Sequence, residues 1–462
     1  MNHWYFNLYF TPSNHVEQKY MEINAKTKKF YINALKKKIY NIYILLLHLL
    51  VLFSCCFNLT KLCAYIINIS LFQPAIFKKK SKSKKIIIVL DRFAGGGRRD
   101  IELTYKSSSR IPNILFLRRS FVKLIFYYFG DRSKLFGCSF NFSQLNNKTK
   151  YFNLNNKNRK KLDQFWTTVI FNLKKYHDNK KINIIAFAYY YNTEFALYAA
   201  CNNNEVPVKL WNKECFMSEP DMKYRVRINE YRKVFKFFDQ ISVYNNSIKK
   251  MLIAMDKSNE KKISVNGSPR LHDFISKTKK KKNIKNLLFL TFNSTPGIPP
   301  LRKNKDLNWN FSHNKIVEIL NDLCNNKNLN IIIKRKNYNS FKTHHQIDKR
   351  IKVFEGSNAK TFINQADIII GHNSGSTIEA LANGKYVMVP FFEKNQKLKK
   401  YLYKFNKDII YNSEYKMKKD ILRLVGKKVL FPLENKNNKA TAQYFLGNFK
   451  NGLEKYVSFL NN

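Results

Sequence analysis

The sequence predicts an α/β protein of two domains, each built around a mostly parallel sheet. Three observations support this prediction. The chain has 462 residues, more than one ordinary domain needs. From residue 86 onward, short β-branched runs alternate with helix-compatible segments, which is typical of parallel sheets covered by helices on both faces. A charged, apolar-poor run at residues 276–286 divides this alternation into two parts of similar size and has the composition of a linker.

The composition indicates folded cores, and it shows that the high net charge does not by itself indicate a function. Hydrophobic residues make up 44% of the chain and aromatic residues 15%, which is ample for real cores. The formal net charge of +53 is spread along the chain with Asn and Ile, a mixture that an AT-rich genome encodes whatever the function. No nucleic-acid-binding motif accompanies the charge, so we expect no nucleic-acid partner, and attraction to anionic lipid or phosphate-bearing substrates is the second interpretation.

The cysteines and histidines indicate no metal site. The seven cysteines include no CxxC pair, and the nine histidines form no HExxH pattern. We therefore expect no disulfide framework, no metal and no cofactor, and a reducing compartment.

Residues 1–84 are predicted to form a basic leader with an apolar, membrane-associating segment at residues 40–77. The stretch 40–59 carries no formal charge and matches the ~20 residues that cross a bilayer core. A second apolar stretch follows at residues 62–77, and lysine clusters flank the pair. A single span, a hairpin or interfacial pair with cytoplasmic flanks, and a buried helical pair remain open. We expect the remaining chain at the cytoplasmic face of the inner or plasma membrane.

The first domain is predicted over residues 85–275. Its first strand, Ile86–Leu90, is followed by Gly95, Gly96 and Gly97 and then by a helix-compatible segment, which is how a βα unit begins. Further strands are expected at Asn113–Leu117, Ile182–Phe187, Val206–Leu210, Gln240–Val243 and Lys262–Val265, and helices at Thr193–Cys201 and Tyr224–Phe238.

The second domain is predicted over residues 287–462. Its expected strands are Leu287–Phe292, Leu329–Lys334, Lys352–Phe354, Ile368–Gly371 and Val387–Pro390, and its expected helices are Ile316–Cys324, Ala359–Gln365, Thr377–Ala382 and a closing helix from Ala440.

Residues 366–392, ADIIIGHNSGSTIEALANGKYVMVPFF, contain the clearest candidate ligand site. A buried strand runs into a turn of small residues, and a helix follows with Ser376 or Thr377 as its expected N-cap. A helix N-terminus offers unpaired N–H groups and partial positive charge, so a diphosphate can bind there. Ser374, Ser376 and Thr377 are therefore candidate donor-binding residues. Glu379 follows in the first turn and can accept hydrogen bonds from ribose or sugar hydroxyls.

This segment resembles the donor-binding segment of GT-B-fold glycosyltransferases, which have two Rossmann-like domains facing a cleft. The shared pattern is a strand, a Ser/Gly turn, a helix opening with Glu-Ala, then Gly-Lys and a strand ending in Pro-Phe, with Tyr386 where the family often has proline. The resemblance covers residues 85–462 and points to surface-polysaccharide or lipopolysaccharide biosynthesis. It implies a nucleotide-sugar donor and a saccharide or lipid-linked acceptor.

Two further segments extend the resemblance. The run Gly267-Ser268-Pro269-Arg270 resembles the turn that ends the first domain in sialic-acid-type and Kdo-type transferases and in UDP-sugar 2-epimerases. Arg270 can offer a forked set of donors to a phosphate. Lys334 ends a strand at the edge that faces the cleft in this fold, where related enzymes place a cation against the donor diphosphate. Each feature also fits an ordinary surface cation.

The chemical step needs a carboxylate or imidazole that takes the acceptor hydroxyl's proton, and positive charge that stabilises the leaving diphosphate. Glu214, just past a predicted strand, is the first candidate for the base, and Asp100 is the second. Glu102 and Glu219 are alternatives. The loop of Gly95, Gly96 and Gly97 is implied to line the acceptor side of the cleft, and a structural turn is an equally good interpretation.

Other functions remain open. An alditol-phosphate transferase of the teichoic-acid type shares the fold and would need His272 or His372 as its acid or base. A UDP-sugar 2-epimerase is a further possibility, and it is disfavoured because such an enzyme needs no membrane segment. A non-catalytic membrane- or nucleic-acid-binding protein is motivated by the charge alone.

Overall fold

A computed structural model of the protein describes residues 39–73, 85–91, 96–108, 110–136, 150–177, 180–214, 217–271, 279–295, 308–335, 343–355, 359–372, 374–402, 404–447 and 452–462. Within these residues, two parallel sheets of six strands each form the framework. The predicted α/β class with two Rossmann-like domains is confirmed.

The first half of the chain forms a helical pair and the first sheet. Its elements are α1 (Ile39–Cys56), α2 (Thr60–Ser70), β1 (Lys85–Asp91), α3 (Gly96–Ser107), β2 (Asn113–Arg118), α4 (Arg119–Gly130), α5 (Ser133–Phe136), α6 (Asn156–Tyr176), β3 (Lys181–Ala186), α7 (Phe195–Asn203), β4 (Val208–Trp211), α8 (Glu219–Val226), α9 (Asn229–Phe235), β5 (Gln240–Val243), α10 (Asn246–Met255) and β6 (Ile263–Val265). The spatial order is β2-β1-β3-β4-β5-β6, with all neighbours parallel. The order therefore reverses between β1 and β3.

The second half forms the second sheet and a small antiparallel sheet of two strands. Its elements are β7 (Lys280–Asn283), β8 (Asn286–Leu290), α11 (Asn310–Leu323), β9 (Asn330–Lys334), β10 (Lys352–Phe354), α12 (Ala359–Gln365), β11 (Ile368–Ile370), α13 (Gly375–Ala382), β12 (Tyr386–Pro390), β13 (Ile410–Tyr411), α14 (Glu414–Leu424), β14 (Lys428–Phe431), α15 (Lys436–Leu446) and α16 (Gly452–Asn461). The order is β10-β9-β8-β11-β12-β13, again all parallel, and it reverses between β8 and β11.

The central strands are continuous apolar runs because both faces are covered. In β1, Ile87 and Val89 belong to the core that extends into the second domain. Ile86 and Ile88 belong instead to the core that contains the apolar residues of α4 and α6. Alternate residues of one strand therefore contribute to two different cores, as expected for a doubly covered parallel sheet.

The run 276–286, predicted as a linker, contains a strand. Residues 280–283 form β7, which pairs antiparallel with β14. Within it, Lys282 forms an ion pair with the fully buried Asp367, and its ammonium lies 5.1 Å from the centre of the Phe431 ring. The linker prediction is wrong for these residues because the strand partner lies near the far end of the second domain, where no local pattern reveals it.

Several helix boundaries also differ from the prediction. The expected helix Tyr224–Phe238 is two helices, α8 and α9, and α8 starts at Glu219 because Ser218 caps it by accepting from the Asp221 N–H at 3.3 Å. The closing helix expected from Ala440 is likewise two helices, separated at Gly447, which has a φ of 81°.

The apolar pair α1 and α2 packs against the first domain on one side. Among the described residues, α1 is long and apolar enough to cross a bilayer by length and composition. It buries Leu47, Val51 and Cys55 in the core beside α4 and α6, and residues on its other side are exposed. The pair is therefore neither fully buried nor free of the domain.

Candidate functional site

Arg270 lies at the centre of a chain of ion pairs that joins the two domains. It sits in a single helical turn, Pro269–Leu271, just after β6, and Gly267 leads into this turn with a φ of 73° that favours glycine. The Arg270 Nε donates to Asp100 Oδ1 at 3.0 Å, and its Nη1 donates to Glu379. One guanidinium thus connects a carboxylate that follows the first sheet's β1 with one that follows the second sheet's β11.

Asp100 is fully buried and fully engaged. It lies in α3, directly after β1 at the point where the strand order of the first sheet reverses. Its second oxygen accepts from the hydroxyl of Tyr244, which follows β5. Burial raises the pKa of Asp100, while the Arg270 charge and the Tyr244 hydrogen bond oppose this rise. Burial and the neighbouring carboxylate raise the pKa of Tyr244 well above its ordinary value, so the phenol remains a donor.

Glu379 is held by two arginines of the first domain. It lies on α13, which follows β11 at the point where the strand order of the second sheet reverses, and only 5% of it is exposed. Because α13 begins at Gly375, Glu379 is in its second turn and not in the first turn as predicted. Besides the Arg270 contact, its Oε2 lies 3.6 Å from the Arg99 Nη1. The structure therefore brings three predicted site residues together, Asp100, Arg270 and Glu379.

The start of α13 differs in detail from the prediction. Ser374, not Ser376 or Thr377, is the N-cap: its backbone is extended and its Oγ accepts from the Thr377 N–H at 3.3 Å. Thr377 is buried, with its hydroxyl 3.1 Å from that of Ser374. Gly371 makes this packing possible, because a Cβ there would lie 2.5 Å from the Thr377 Oγ1. Ser374 and Ser376 remain half-buried at the helix start.

Lys334 lies apart from the ion-pair chain. It ends β9, which is separated from β11 by β8, and its ammonium donates to the Arg335 carbonyl at 2.5 Å. Burial lowers the pKa of Lys334. Because carboxyl ends of parallel strands share one edge, Lys334 and the start of α13 lie along the same edge of the second sheet.

The candidate bases lie in different surroundings. Glu214 is half-buried after β4, where its Oε1 accepts from the Tyr190 hydroxyl at 2.9 Å. Asp100 has no exposed surface and both oxygens are hydrogen-bonded, so in this arrangement it has no free position for a substrate proton. Glu102 lies within α3, and Glu219 pairs with Lys223 on α8. Geometry leaves Glu214 as the better-placed of the two predicted catalytic residues.

The predicted glycine loop is only partly visible. Gly95 lies outside the described residues, while Gly96 and Gly97 form the first turn of α3 rather than a loop. The helix simply begins earlier than the charged segment from which it was predicted. Of the two histidines considered as acid or base, His272 also lies outside the described residues.

An aromatic cluster beside α13 was missed by the sequence analysis. The fully buried His372 stacks on Phe292 with ring centroids 4.4 Å apart, and Trp309 meets it edge-on at 5.2 Å. His313 lies 4.3 Å from the same Phe292 ring. The sequence could have pointed to this cluster, because Phe292 and His372 each follow an apolar strand, and the two strands, β8 and β11, are neighbours in the sheet.

The last helix supports the turn that carries Arg270. Tyr456 of α16 is fully buried, donates its hydroxyl to the Gly267 carbonyl at 2.8 Å, and stacks on Trp211 of β4 at 4.1 Å. The Ser268 N–H also donates to the Leu446 carbonyl at 2.7 Å. The C-terminal end of the chain thus returns to the first domain and fixes the backbone on which Arg270 stands.

No protein-family model matches the chain, and no curated protein matches its sequence. Among solved structures, it is similar to UDP-GlcNAc 2-epimerase from Neisseria meningitidis bound to UDP-GlcNAc, with 11% identity over 82% of this chain and 100% of that one and a TM-score of 0.44. It is also similar to UDP-GlcNAc 2-epimerase from Methanocaldococcus jannaschii, with 12% identity, 82% and 100% coverage and a TM-score of 0.44.

A third similar structure is a UDP-forming α,α-trehalose-phosphate synthase from Burkholderia xenovorans, with 9% identity, 82% and 99% coverage and a TM-score of 0.42. At these identities the likeness concerns the course of the chain alone. The candidate site is defined by the chain's own contacts among Asp100, Arg270 and Glu379.

Proposed function

We propose that the protein is a GT-B-type glycosyltransferase of the cytoplasmic membrane face. It moves a sugar from a nucleotide-sugar donor to a cell-envelope saccharide or lipid-linked acceptor. The observation that carries the proposal is the junction at Arg270, where Asp100 from the first sheet's switch point meets Glu379 from the second. In open α/β sheets, ligands bind at such switch points beyond the carboxyl ends of the strands.

The donor side is formed by the second domain. The N-terminus of α13 offers its unpaired N–H groups, with the hydroxyls of Ser374 and Ser376 beside them, to a diphosphate. Glu379 accepts hydrogen bonds from the vicinal hydroxyls of the nucleotide's ribose. Arg270 and Lys334 supply positive charge along the same cleft, which stabilises the nucleoside diphosphate as the bond to the sugar breaks.

The acceptor side is formed by the first domain. Glu214, hydrogen-bonded to Tyr190 at the carboxyl end of β4, takes the proton of the attacking hydroxyl. For the alditol-phosphate alternative, His372 is a poor acid or base because it is fully buried against Phe292 and Trp309. Its other candidate, His272, lies outside the described residues.

Binding of the donor is tested by thermal shift with nucleoside diphosphates and nucleotide-sugars. A ligand at 100 times its Kd stabilises the native state by about 2.7 kcal/mol, so the cognate nucleotide should raise Tm by several degrees. Glu379→Gln should lose most of this rise relative to its own ligand-free Tm. Glu434→Gln removes a carboxylate that is largely exposed and serves as the matched control.

If no nucleotide raises Tm, or if the rise in Glu379→Gln equals that of wild type, the donor assignment is wrong. For the chemical step, Glu214→Gln should reduce turnover at saturating donor while leaving the nucleotide-induced Tm rise intact. Unchanged turnover removes Glu214 as the base.

A further inference from the structure

The exposed side of α1 is as apolar as its buried side. An apolar stripe, defined here as Ile39, Ile42, Tyr43, Leu46, Leu49, Leu50 and Phe53, recurs at helical spacing, and each of these residues is between 40% and 59% exposed. Phe57, just beyond the helix, is 64% exposed. A helix on the surface of a water-soluble domain normally turns polar residues outward, and a continuous apolar patch of this kind marks an interaction surface.

The opposite side of α1 is attached to the first domain along its whole length. Near its start, the Tyr40 ring lies 5.0 Å from the Arg118 guanidinium. At its middle, His48 hydrogen-bonds to Ser120 at 2.8 Å and stacks on Phe121. Near its end, Cys55 is buried in the domain core. Contacts from end to end favour a helix that lies along the domain over one that leaves the domain to cross a bilayer.

The second helix cannot complete a spanning hairpin. α2 has 11 residues, which at ~1.5 Å per residue is about half the hydrocarbon thickness of a bilayer. It packs on α6, where Tyr65 meets Tyr176 with ring centroids 6.0 Å apart, and Phe72 bridges to Phe116 of β2 after its end. The pair therefore returns directly into the sheet on the side from which it came.

The helix α6, which packs against α2, carries positive charge and aromatic rings on its exposed side. On α6, the residues Lys157, Lys160, Lys161, Phe171, Lys175 and Tyr176 are exposed. The Lys175 ammonium lies 4.5 Å from the centre of the Phe171 ring. Lys61, at the start of α2, is also exposed, and its carbonyl accepts from the Tyr176 hydroxyl. Lysines beside exposed aromatic residues can bind the phosphates of an anionic membrane surface, whereas burying their charges in the hydrocarbon core is costly.

We propose that α1 and α2 lie flat in the cytoplasmic interface of an anionic bilayer, with the apolar stripe toward the acyl chains and the α6 lysines toward the headgroups. This attachment rests on the membrane association in the function proposed above and specifies how the protein is held. Arg118, which contacts Tyr40, ends β2 at the same sheet edge from which Asp100 follows β1. The flat helix therefore brings the substrate edge of the first domain close to the lipid surface.

Vesicle flotation tests the binding surface with the purified full-length protein. Wild type should float with phosphatidylglycerol-containing vesicles, less with pure phosphatidylcholine, and less again at high salt. The double variant Leu46→Gln/Phe53→Gln should lose at least tenfold in vesicle affinity. Tyr415→Gln/Leu422→Gln, which changes two exposed apolar residues on α14, is the matched control and should float as wild type does.

A protease-protection assay tests the orientation. With an N-terminal epitope tag on the full-length chain, a flat helix leaves tag and catalytic body on the same side, so both are digested in inside-out vesicles. A tag protected until detergent is added overturns the proposal in favour of a span. Equal flotation of the stripe variant and its control also overturns the proposal. So does a stripe variant that floats as wild type does but changes from dimer to monomer in the absence of lipid, because the stripe would then be a contact between two copies of the chain.

Nucleotide-induced Tm rises, measured on the same variants, separate the two proposals. The stripe variant should keep the full nucleotide response, because its changed residues lie outside the donor site. If wild type floats as expected but responds to no nucleotide, the attachment holds and the transferase assignment fails.

Discussion

Arg270 and Glu379 form an ion pair between the two domains, and the same arginine binds the buried Asp100. Glu379, a candidate residue for binding the nucleotide-sugar donor, is therefore part of the contact between the domains. A donor that uses the Glu379 carboxylate has to share it with Arg270 and Arg99 or displace them. The two domains are therefore joined by the residues that are proposed to bind the ligand.

Arg270→Ala should lower the free energy of unfolding by about 3–5 kcal/mol, because it leaves the buried Asp100 without its guanidinium partner. Arg270→Lys should recover only part of this loss, because an ammonium lacks the spread N–H donors with which one guanidinium binds both carboxylates. Urea denaturation monitored by circular dichroism measures both. Arg423→Ala, which removes an exposed pair with Asp420, should leave the unfolding midpoint unchanged. Similar midpoints for the two alanine variants would contradict the structural role of Arg270.

Ser374→Ala and Ser413→Ala form a matched pair, because each serine caps its helix by accepting a backbone N–H at 3.3 Å. Both variants should lose about 1 kcal/mol of stability, the usual cost of an N-cap. Only Ser374→Ala should also weaken nucleotide binding, measured by isothermal titration. Equal nucleotide affinity in the two variants would exclude the start of α13 from the donor site.

Tyr456→Phe should cost about 1–2 kcal/mol, because the Gly267 carbonyl loses a buried hydrogen bond. Tyr456→Ala should cost about 3–5 kcal/mol by also removing the stacking on Trp211. Tyr415→Ala, at a residue that is 74% exposed, is the control for loss of a tyrosine. If Tyr456→Ala is no less stable than this control, α16 does not support the first domain.

Lys209 gives a pH test of the docking of α16. Its ammonium is buried and donates to the Phe459 carbonyl at 2.7 Å, and burial, followed by the nearby Lys85 charge, lowers the pKa of Lys209 from 10.5 to about 8. Between pH 8 and pH 10.5 the unfolded chain keeps a proton that the folded chain has released, so this residue makes the folded state more stable as pH rises.

Lys209→Met should remove that increase. The difference in unfolding free energy between wild type and variant should therefore grow in favour of wild type as pH rises from 8 to 10, with about 1.4 kcal/mol available per unit of pKa shift. Lys262→Met, which removes a similar lysine bond to the Phe238 carbonyl, controls for the loss of the hydrogen bond. A wild-type-minus-variant difference that is flat with pH would contradict the buried, proton-releasing lysine.

The local patterns of the sequence predicted most of the strands because these strands are short apolar runs buried on both faces. Gln240–Val243, Lys352–Phe354 and the helix Ala359–Gln365 have the predicted bounds. The strand β7 was missed because its residues are mostly lysine and because its partners, the strand β14 and the side chain of Asp367, are far away in the sequence. β7 contains no apolar residue, so no local pattern marks it as a strand.

Some features of the candidate site were likewise determined by local sequence, and others only by the tertiary structure. The sequence alone determined that Arg270 follows the last strand of one domain and that Glu379 belongs to a helix after a buried strand in the other, since turn and cap chemistry are local. Tertiary structure decided that these two side chains meet, that Asp100 and Tyr244 complete the cluster, and that Tyr456 holds its backbone. The physical reason is that strand order, not chain order, sets which carboxyl ends are neighbours, and strand order is fixed only when the sheets assemble.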